Sequence, residues 1–240
     1  MAKYVKWIGG GLGWALFGPI GGILGFVLGS FIDYDETPYE NMSHRPTTKG
    51  DFAVSLLVLI AAILKADGKV YKSELDYVKR YFIRTFGESS AREAMLLLRD
   101  ILKQPISLKD VATQAGEKLD YSSKLQMLHL LFDIANADRN ININELNLLQ
   151  QVADYMHINP QDFQSIKSMY YSDLSAAYSV LEISETATDE EVRKAYRNMA
   201  LKYHPDKVEY LGEDMKKIAN ERFKKVNEAY ERIKKARGMN

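Results

Sequence analysis

The 240-residue chain contains no cysteine, which excludes disulfide frameworks, thiolate zinc sites and thiol nucleophiles and removes any dependence on an oxidising compartment. It also has no net charge, with 32 basic side chains against 32 acidic ones. The global basic character that accompanies non-specific nucleic-acid binding is therefore missing, and no nucleic-acid partner is expected. Enzyme signatures are absent too: there is no phosphate-binding glycine loop, no nucleophile paired with a base and no ligand cluster of catalytic spacing. No stretch shows sustained period-two alternation, so an all-α chain is predicted. What is present, 46% hydrophobic and 11% aromatic residues, is too rich for a disordered tail and suits one large or two small domains.

Ionisable side chains are missing from one long stretch, the 26 residues Trp7 to Ile32. As a helix rising ~1.5 Å per residue this stretch would reach ~39 Å, enough to cross a ~30 Å hydrocarbon core. Nine glycines and Pro19 make it a poor helix former in water, but in lipid the backbone has no other partner than itself. A signal peptide fits badly, because the apolar part is too long, is broken by glycine, and no small-x-small cleavage site is followed by an obviously exported domain. Residues 1–33 are thus expected to be membrane-associated, by a span or a re-entrant turn at Gly18 and Pro19. Gly21, Gly25 and Gly29 recur every four residues, a stripe that would let two helices approach closely and pair two copies of the chain.

Residues 34–50 hold Pro38, Pro46 and polar turn formers and read as a linker. From Asp51 helical periodicity sets in. Phe52, Leu56, Leu59, Ile60, Ile63 and Leu64 make a helix apolar nearly all round, as at the centre of a bundle. Further helices are predicted at about Ser73 to Phe86, Ser89 to Lys103, Ser107 to Leu119, Ser122 to Asn136, Asn144 to Tyr155 and Pro160 to Tyr171. His129 and His157 lack ligand spacing and read as ordinary helix residues.

Within this region Ala66-Asp67-Gly68-Lys69-Val70, followed by Glu74-Leu75, matches Ala137-Asp138-Arg139-Asn140-Ile141, followed by Glu145-Leu146, at a displacement of 71 residues. The middle therefore looks like a duplicated helical hairpin. The pattern resembles the TerB-like, tellurite-resistance family of helical domains, a resemblance that implies metal binding by the paired acidic residues. Asp67, Glu74, Asp138 and Glu145 would converge on a hard divalent cation if the repeats face one another. Each pair also has a local explanation, aspartate accepting bonds in a turn and glutamate favoured in a first helical turn. An EF-hand is excluded, because the sixth loop position from Asp138 is Ile143 and the twelfth is Leu149.

Toward the C-terminus Thr188-Asp189-Glu190-Glu191 has the form of a capping box. It opens a helix whose apolar stripe is Val192, Ala195, Tyr196, Met199, Ala200 and Tyr203, with Arg193, Lys194, Arg197, Asn198 and Lys202 on the other face. Pro205 biases His204 away from helical geometry, so the helix ends at His204-Pro205-Asp206. A second stripe, Ala219, Phe223, Val226, Tyr230 and Ile233, follows, which predicts two antiparallel helices joined at that tripeptide.

These features, from about Leu174 to Ile233 and including Phe223-Lys224-Lys225-Val226-Asn227-Glu228-Ala229-Tyr230, resemble the J domain of DnaJ-type co-chaperones. The resemblance implies that His204, Pro205 and Asp206 trigger ATP hydrolysis by a DnaK-type heat-shock partner. It also implies that Arg193, Arg197, Lys202 and Lys207 steer the encounter with an acidic surface of that partner. Asn198 departs from the family, which often has a basic residue there, and Lys234-Lys235-Ala236-Arg237 resembles the basic motif of the family's fourth helix only loosely. Without cysteine there is no DnaJ zinc-finger module.

The order of parts, membrane segment 1–33, TerB-like domain 51–172 and J domain 173–240, resembles the membrane-anchored DnaJ-like co-chaperones of the DjlA type. A bacterial inner-membrane co-chaperone is implied, itself not an enzyme. Lys3 and Lys6 before the apolar run and Asp33, Asp35, Glu36 and Glu40 after it would by the positive-inside rule place the N-terminus in the cytoplasm. An ATP-dependent partner requires the reverse, a short N-terminus outside and the C-terminal domains in the cytoplasm. The alternative is a TerB-like metal sensor or scaffold whose degenerate J domain serves only for interaction.

Overall fold

A computed structural model of the chain describes residues 18–23, 49–68, 70–139 and 141–239. From Lys49 onward ten α-helices follow in order: α1 Lys49–Asp67, α2 Lys72–Phe86, α3 Glu88–Ile101, α4 Leu108–Lys118, α5 Tyr121–Ala135, α6 Ile143–Tyr155, α7 Pro160–Ser168, α8 Leu174–Val180, α9 Asp189–Lys202 and α10 Glu213–Arg237, with a 3-10 segment Pro205–Leu211 between the last two. The all-α expectation holds, with no strand among the described residues.

The helix that is apolar all round, α1, lies at the centre of the bundle. Leu56, Val58, Leu59, Ile60 and Ala61 are all but inaccessible to solvent, so their pattern has no polar face to show. Beside it α4 packs so closely on the end of α6 that a Cβ on Gly116 would lie 2.7 Å from Met156 Cα, and only glycine fits. Residues 18–23 form a short helical piece seated on α4: Ile20 is buried in the same core and its N–H donates to Gln114 Oε1 at 2.7 Å. This piece contains Gly21, whereas Gly25 and Gly29 lie outside the described residues. Among the described residues no helix is long and apolar enough to cross a membrane.

The internal repeat is visible in the backbone. Glu74 accepts from the Tyr71 N–H and Glu145 from the Asn142 N–H, each at 2.8 Å, three residues back at the opening of α2 and α6. In the turn before each, Gly68 and Arg139, 71 residues apart, both adopt left-handed geometry, with φ of 73° and 66°. The turn demands a positive φ. The first copy meets that demand with glycine, and the second carries the strain of a side chain there, roughly 1–2 kcal/mol.

Two apolar cores form, and they do not divide where the sequence parts at 172/173. One, built on α8, α9 and the second half of α10, contains Leu181, Val192, Met199, Tyr203, Val226 and Ile233. The other is the bundle core, and it takes in Val208, Leu211, Met215, Ile218 and Ala219 from the 3-10 segment and the first turns of α10. The C-terminal unit is thus welded to the middle one through the stretch just after His204-Pro205-Asp206.

Lys234-Lys235-Ala236-Arg237, only loosely like the family's fourth-helix motif, form the last turn of α10. Gly238 (φ 66°) then closes the helix, its N–H bonding Lys235 O and the Met239 N–H bonding Lys234 O. That is the Schellman pattern, in which glycine stops a helix.

Candidate functional site

The site is built at the bend between α9 and α10. Thr188 Oγ1 accepts from the Glu191 N–H at 3.3 Å, while Glu191 Oε2 accepts from the Thr188 N–H at 2.7 Å, so the expected capping box starts α9. The Thr188 bonds hold the Glu191 carboxyl below its usual pKa. The two helices run antiparallel. Arg237 pairs with Asp189 at the open end, Tyr196 stacks on Tyr230 at 4.3 Å and bonds Asn227 midway, and His204 meets Phe223 at the bend. Arg237 further clamps the open end, donating to the Tyr178 hydroxyl and to the carbonyls of Glu185 and Ala187.

At the bend His204 is extended (φ −61°, ψ 131°), as a residue before proline must be. Pro205 then opens the 3-10 segment. His204 Nδ1 accepts from the Asp206 N–H at 3.4 Å, and its side chain and that of Asp206 are 47% and 63% exposed. The tripeptide is therefore folded into a defined turn and still reachable. Arg193, Lys194, Arg197, Asn198 and Lys207 are exposed as the helical pattern required.

Lys202 is not. Its ammonium lies 2.8 Å from Asp162 of α7 and 2.7 Å from Glu182 of the α8–α9 connection. Asp162 also accepts from the Tyr121 hydroxyl at 2.6 Å, and that oxygen in turn accepts from the Asn159 N–H. Burial and then the bond to Asp162 push the Tyr121 hydroxyl up to about 12. Burial pulls the Lys202 ammonium down, but its bonds to Asp162 and Glu182 outweigh it and leave the pKa raised.

Next along the chain, Tyr203 is buried edge-on against His129 of α5, 5.4 Å between rings. His129 is fully buried, and neither ring nitrogen has a hydrogen-bond partner among the described residues. Burial, then the nearby charges of Arg222 and Lys225, hold its pKa well below 6.5. Tyr210 of the 3-10 segment bonds Asp120 and Ser123. Arg222 of α10, 4% exposed, pairs with Asp133, which also accepts from Tyr170 at 2.7 Å. Lys225 sits 4.2 Å over the Tyr170 ring.

Of the four carboxylates of the repeat, the structure brings two together. Glu74 and Glu145 are buried and line one cavity of about 20 Å³ with Ile60, Leu131 and Leu149, room for roughly one water. Asp138 is exposed, and the Asp67 side chain lies outside the described residues. Among the described residues no three His, Cys, Asp or Glu side chains gather in ligand geometry.

Asp162, Asp133 and Tyr210 escaped sequence reasoning, and His129 read only as an ordinary helix residue. Arg222 carried a signal: it interrupts the apolar stripe of α10 three residues after Ala219 and four before Val226.

Comparison with known families agrees with this geometry. Residues 53–168 match the tellurite resistance protein TerB model, 176–237 the DnaJ domain model, and 1–44 the co-chaperone DjlA transmembrane domain model. The co-chaperone protein DjlA of Coxiella burnetii is 24% identical, over 98% of this chain and 98% of its own length. That of Legionella pneumophila is 24% identical over 97% of this chain and 95% of its own. The chaperone protein DnaJ of Campylobacter lari is 57% identical over 54 residues, 22% of this chain and 13% of its own. No solved structure matches. With the three domain models in this order and relatives aligned along nearly the whole length, the chain is similar throughout to the DjlA-type DnaJ-like co-chaperones.

Proposed function

We propose that this chain stimulates ATP hydrolysis by a DnaK-type heat-shock chaperone at the cytoplasmic face of the bacterial inner membrane. The observation that carries the reading is the reachable His204-Pro205-Asp206 turn at the tip of a packed antiparallel hairpin, flanked by Arg193, Arg197 and Lys207 in solvent. Exposed cations of this kind accelerate the approach of an acidic partner more than they tighten the final complex. The turn, held by its own backbone bond to His204 Nδ1, arrives in one shape, so little ordering cost is added on docking. The ATPase does the chemistry, and this chain supplies the trigger.

The likeness of residues 1–44 to the DjlA transmembrane domain supports anchoring by the charge-free N-terminal stretch, with pairing of two copies through Gly21, Gly25 and Gly29. ATP dependence of the partner supports cytoplasmic C-terminal domains, and a reporter fused after Asn240 should be active in the cytoplasm and silent in the periplasm. For the main reading, full-length chain in detergent micelles is titrated into the cognate DnaK-type ATPase and steady-state turnover measured. Wild type should raise turnover and His204→Gln should abolish the increase; equal stimulation by both would sink it. A divalent cation held by the paired acidic residues Asp67, Glu74, Asp138 and Glu145 is a separate proposal, tested by calorimetric titration before and after Asp67→Ala and Asp138→Ala; no heat above dilution would eliminate it.

A further inference from the structure

One cation of the trigger helix is held between two carboxylates. Lys202 is the last residue of α9, two positions before His204, and its ammonium bridges a carboxylate of its own unit, Glu182, and one of the middle unit, Asp162. Asp162 is a built partner: its side chain is 6% exposed, and its second oxygen is fixed by the Tyr121 hydroxyl at 2.6 Å. A carboxylate so placed holds Lys202 far more firmly than a surface pair would.

Around this contact the middle unit grips the same stretch of chain. His129 packs on Tyr203, Asp120 and Ser123 hold Tyr210, and Val208 and Leu211 are sunk in the bundle core. Those apolar contacts are too extensive for the two units to part readily. Lys202 is different: it is 29% exposed and lies at the edge of the seam, so its ammonium can leave Asp162 while the rest stays docked.

We propose that Asp162 is an intramolecular competitor for Lys202, a latch by which the TerB-like domain withholds one cation of the trigger helix until an acidic partner surface takes it. The inference rests on the reading of the J domain as the partner-docking unit. It adds that this chain's middle domain sets the threshold for that docking. Glu182 travels with the J domain and keeps the ammonium near the tip when Asp162 lets go. Coupling is reciprocal, so a ligand that drew Asp162 or Tyr121 away would strengthen partner docking by the same factor.

Two measurements on the full chain in micelles test this. In the ATPase titration, Asp162→Asn should lower the concentration for half-maximal stimulation about fivefold, the low end of allosteric couplings. Lys202→Ala should raise that concentration, and in its background Asp162→Asn should have no effect. Independently of any partner, brief acylation with an amine-reactive ester, read by mass spectrometry, should modify Lys202 about threefold faster in Asp162→Asn than in wild type. Lys194 and Lys207 serve as unchanged internal controls. A half-maximal concentration unchanged or raised in Asp162→Asn, with wild type active, would overturn the latch. Should wild type fail to stimulate at all, the co-chaperone reading falls instead. The acylation rates then still show whether Asp162 holds Lys202, equal rates in the two proteins refuting it.

Discussion

Arg193 and Arg197 stand in solvent on the same helix whose last turn carries Lys202 into contact with two carboxylates. Around the helix Arg193 and Arg197 lie within about 40° of each other, whereas Lys202 lies about 180° from Arg193 at the other edge of the polar face, and tertiary packing then gives that edge a different role. Arg193 and Arg197 project from the exposed turns of α9, and their charges act at a distance that salt can screen. Only the end of the helix, at Lys202 and Tyr203, meets the TerB-like domain, where an ionic contact is short and tied to a second group. The exposed turns are thus a steering surface, and the end of the helix is a joint.

The strongest way to break this comparison is to remove what keeps the joint dry. Asp133 balances the buried Arg222 guanidinium and fixes the Tyr170 hydroxyl. Asp133→Leu leaves a charge buried without its partner, a loss of about 3–5 kcal/mol. Urea unfolding followed by circular dichroism should show a clearly lower midpoint, and a wild-type midpoint would mean that the seam is wet and the joint at Lys202 is no drier than the exposed turns of α9.

A smaller effect sharpens the comparison by pH. His129, under Tyr203, is held neutral by burial and by the charges of Arg222 and Lys225. Its folded pKa lies below the unfolded value of 6.5, so the unfolded chain binds the proton first. The stability this group allows is therefore complete above that value. It is lost as pH falls below it, by up to about 1.4 kcal/mol per pH unit until the folded pKa is reached. His129→Leu should flatten the urea midpoint between pH 7 and pH 5 relative to wild type. Parallel curves would show that the ring is hydrated at the joint.

The helices of both units were legible in the sequence because their stripes are long and their openings carry caps. Thr188 with Glu191 predicts the start of α9, and the Asp67 and Asp138 turns predict the repeat. The antiparallel hairpin and its bend followed from two stripes and a proline. The joint was not legible. Asp162 is an acid in the first turn of a short helix, a place where acids are common for local reasons. Val208, Tyr210 and Leu211 occupy a connection with no periodicity to read. That Lys202 meets Asp162 depends on how two separately patterned units dock, which no local spacing encodes.

The smallest expected effect separates the exposed turns of α9 from its last residue most directly. Arg197 is exposed, so Arg197→Ala should weaken docking to the DnaK-type partner by no more than ~1 kcal/mol, mostly through slower association. The deficit should vanish as salt rises and the screening length falls from ~10 Å at 0.1 M to ~3 Å at 1 M. Lys202→Ala removes an ammonium that works in contact and not at range, so its deficit should appear mainly in dissociation and survive the same salt series. Stopped-flow association and dissociation rates between 0.05 and ~0.5 M salt distinguish the two. If both deficits faded together, Lys202 would be one more steering charge, and the polar face would have a single role after all.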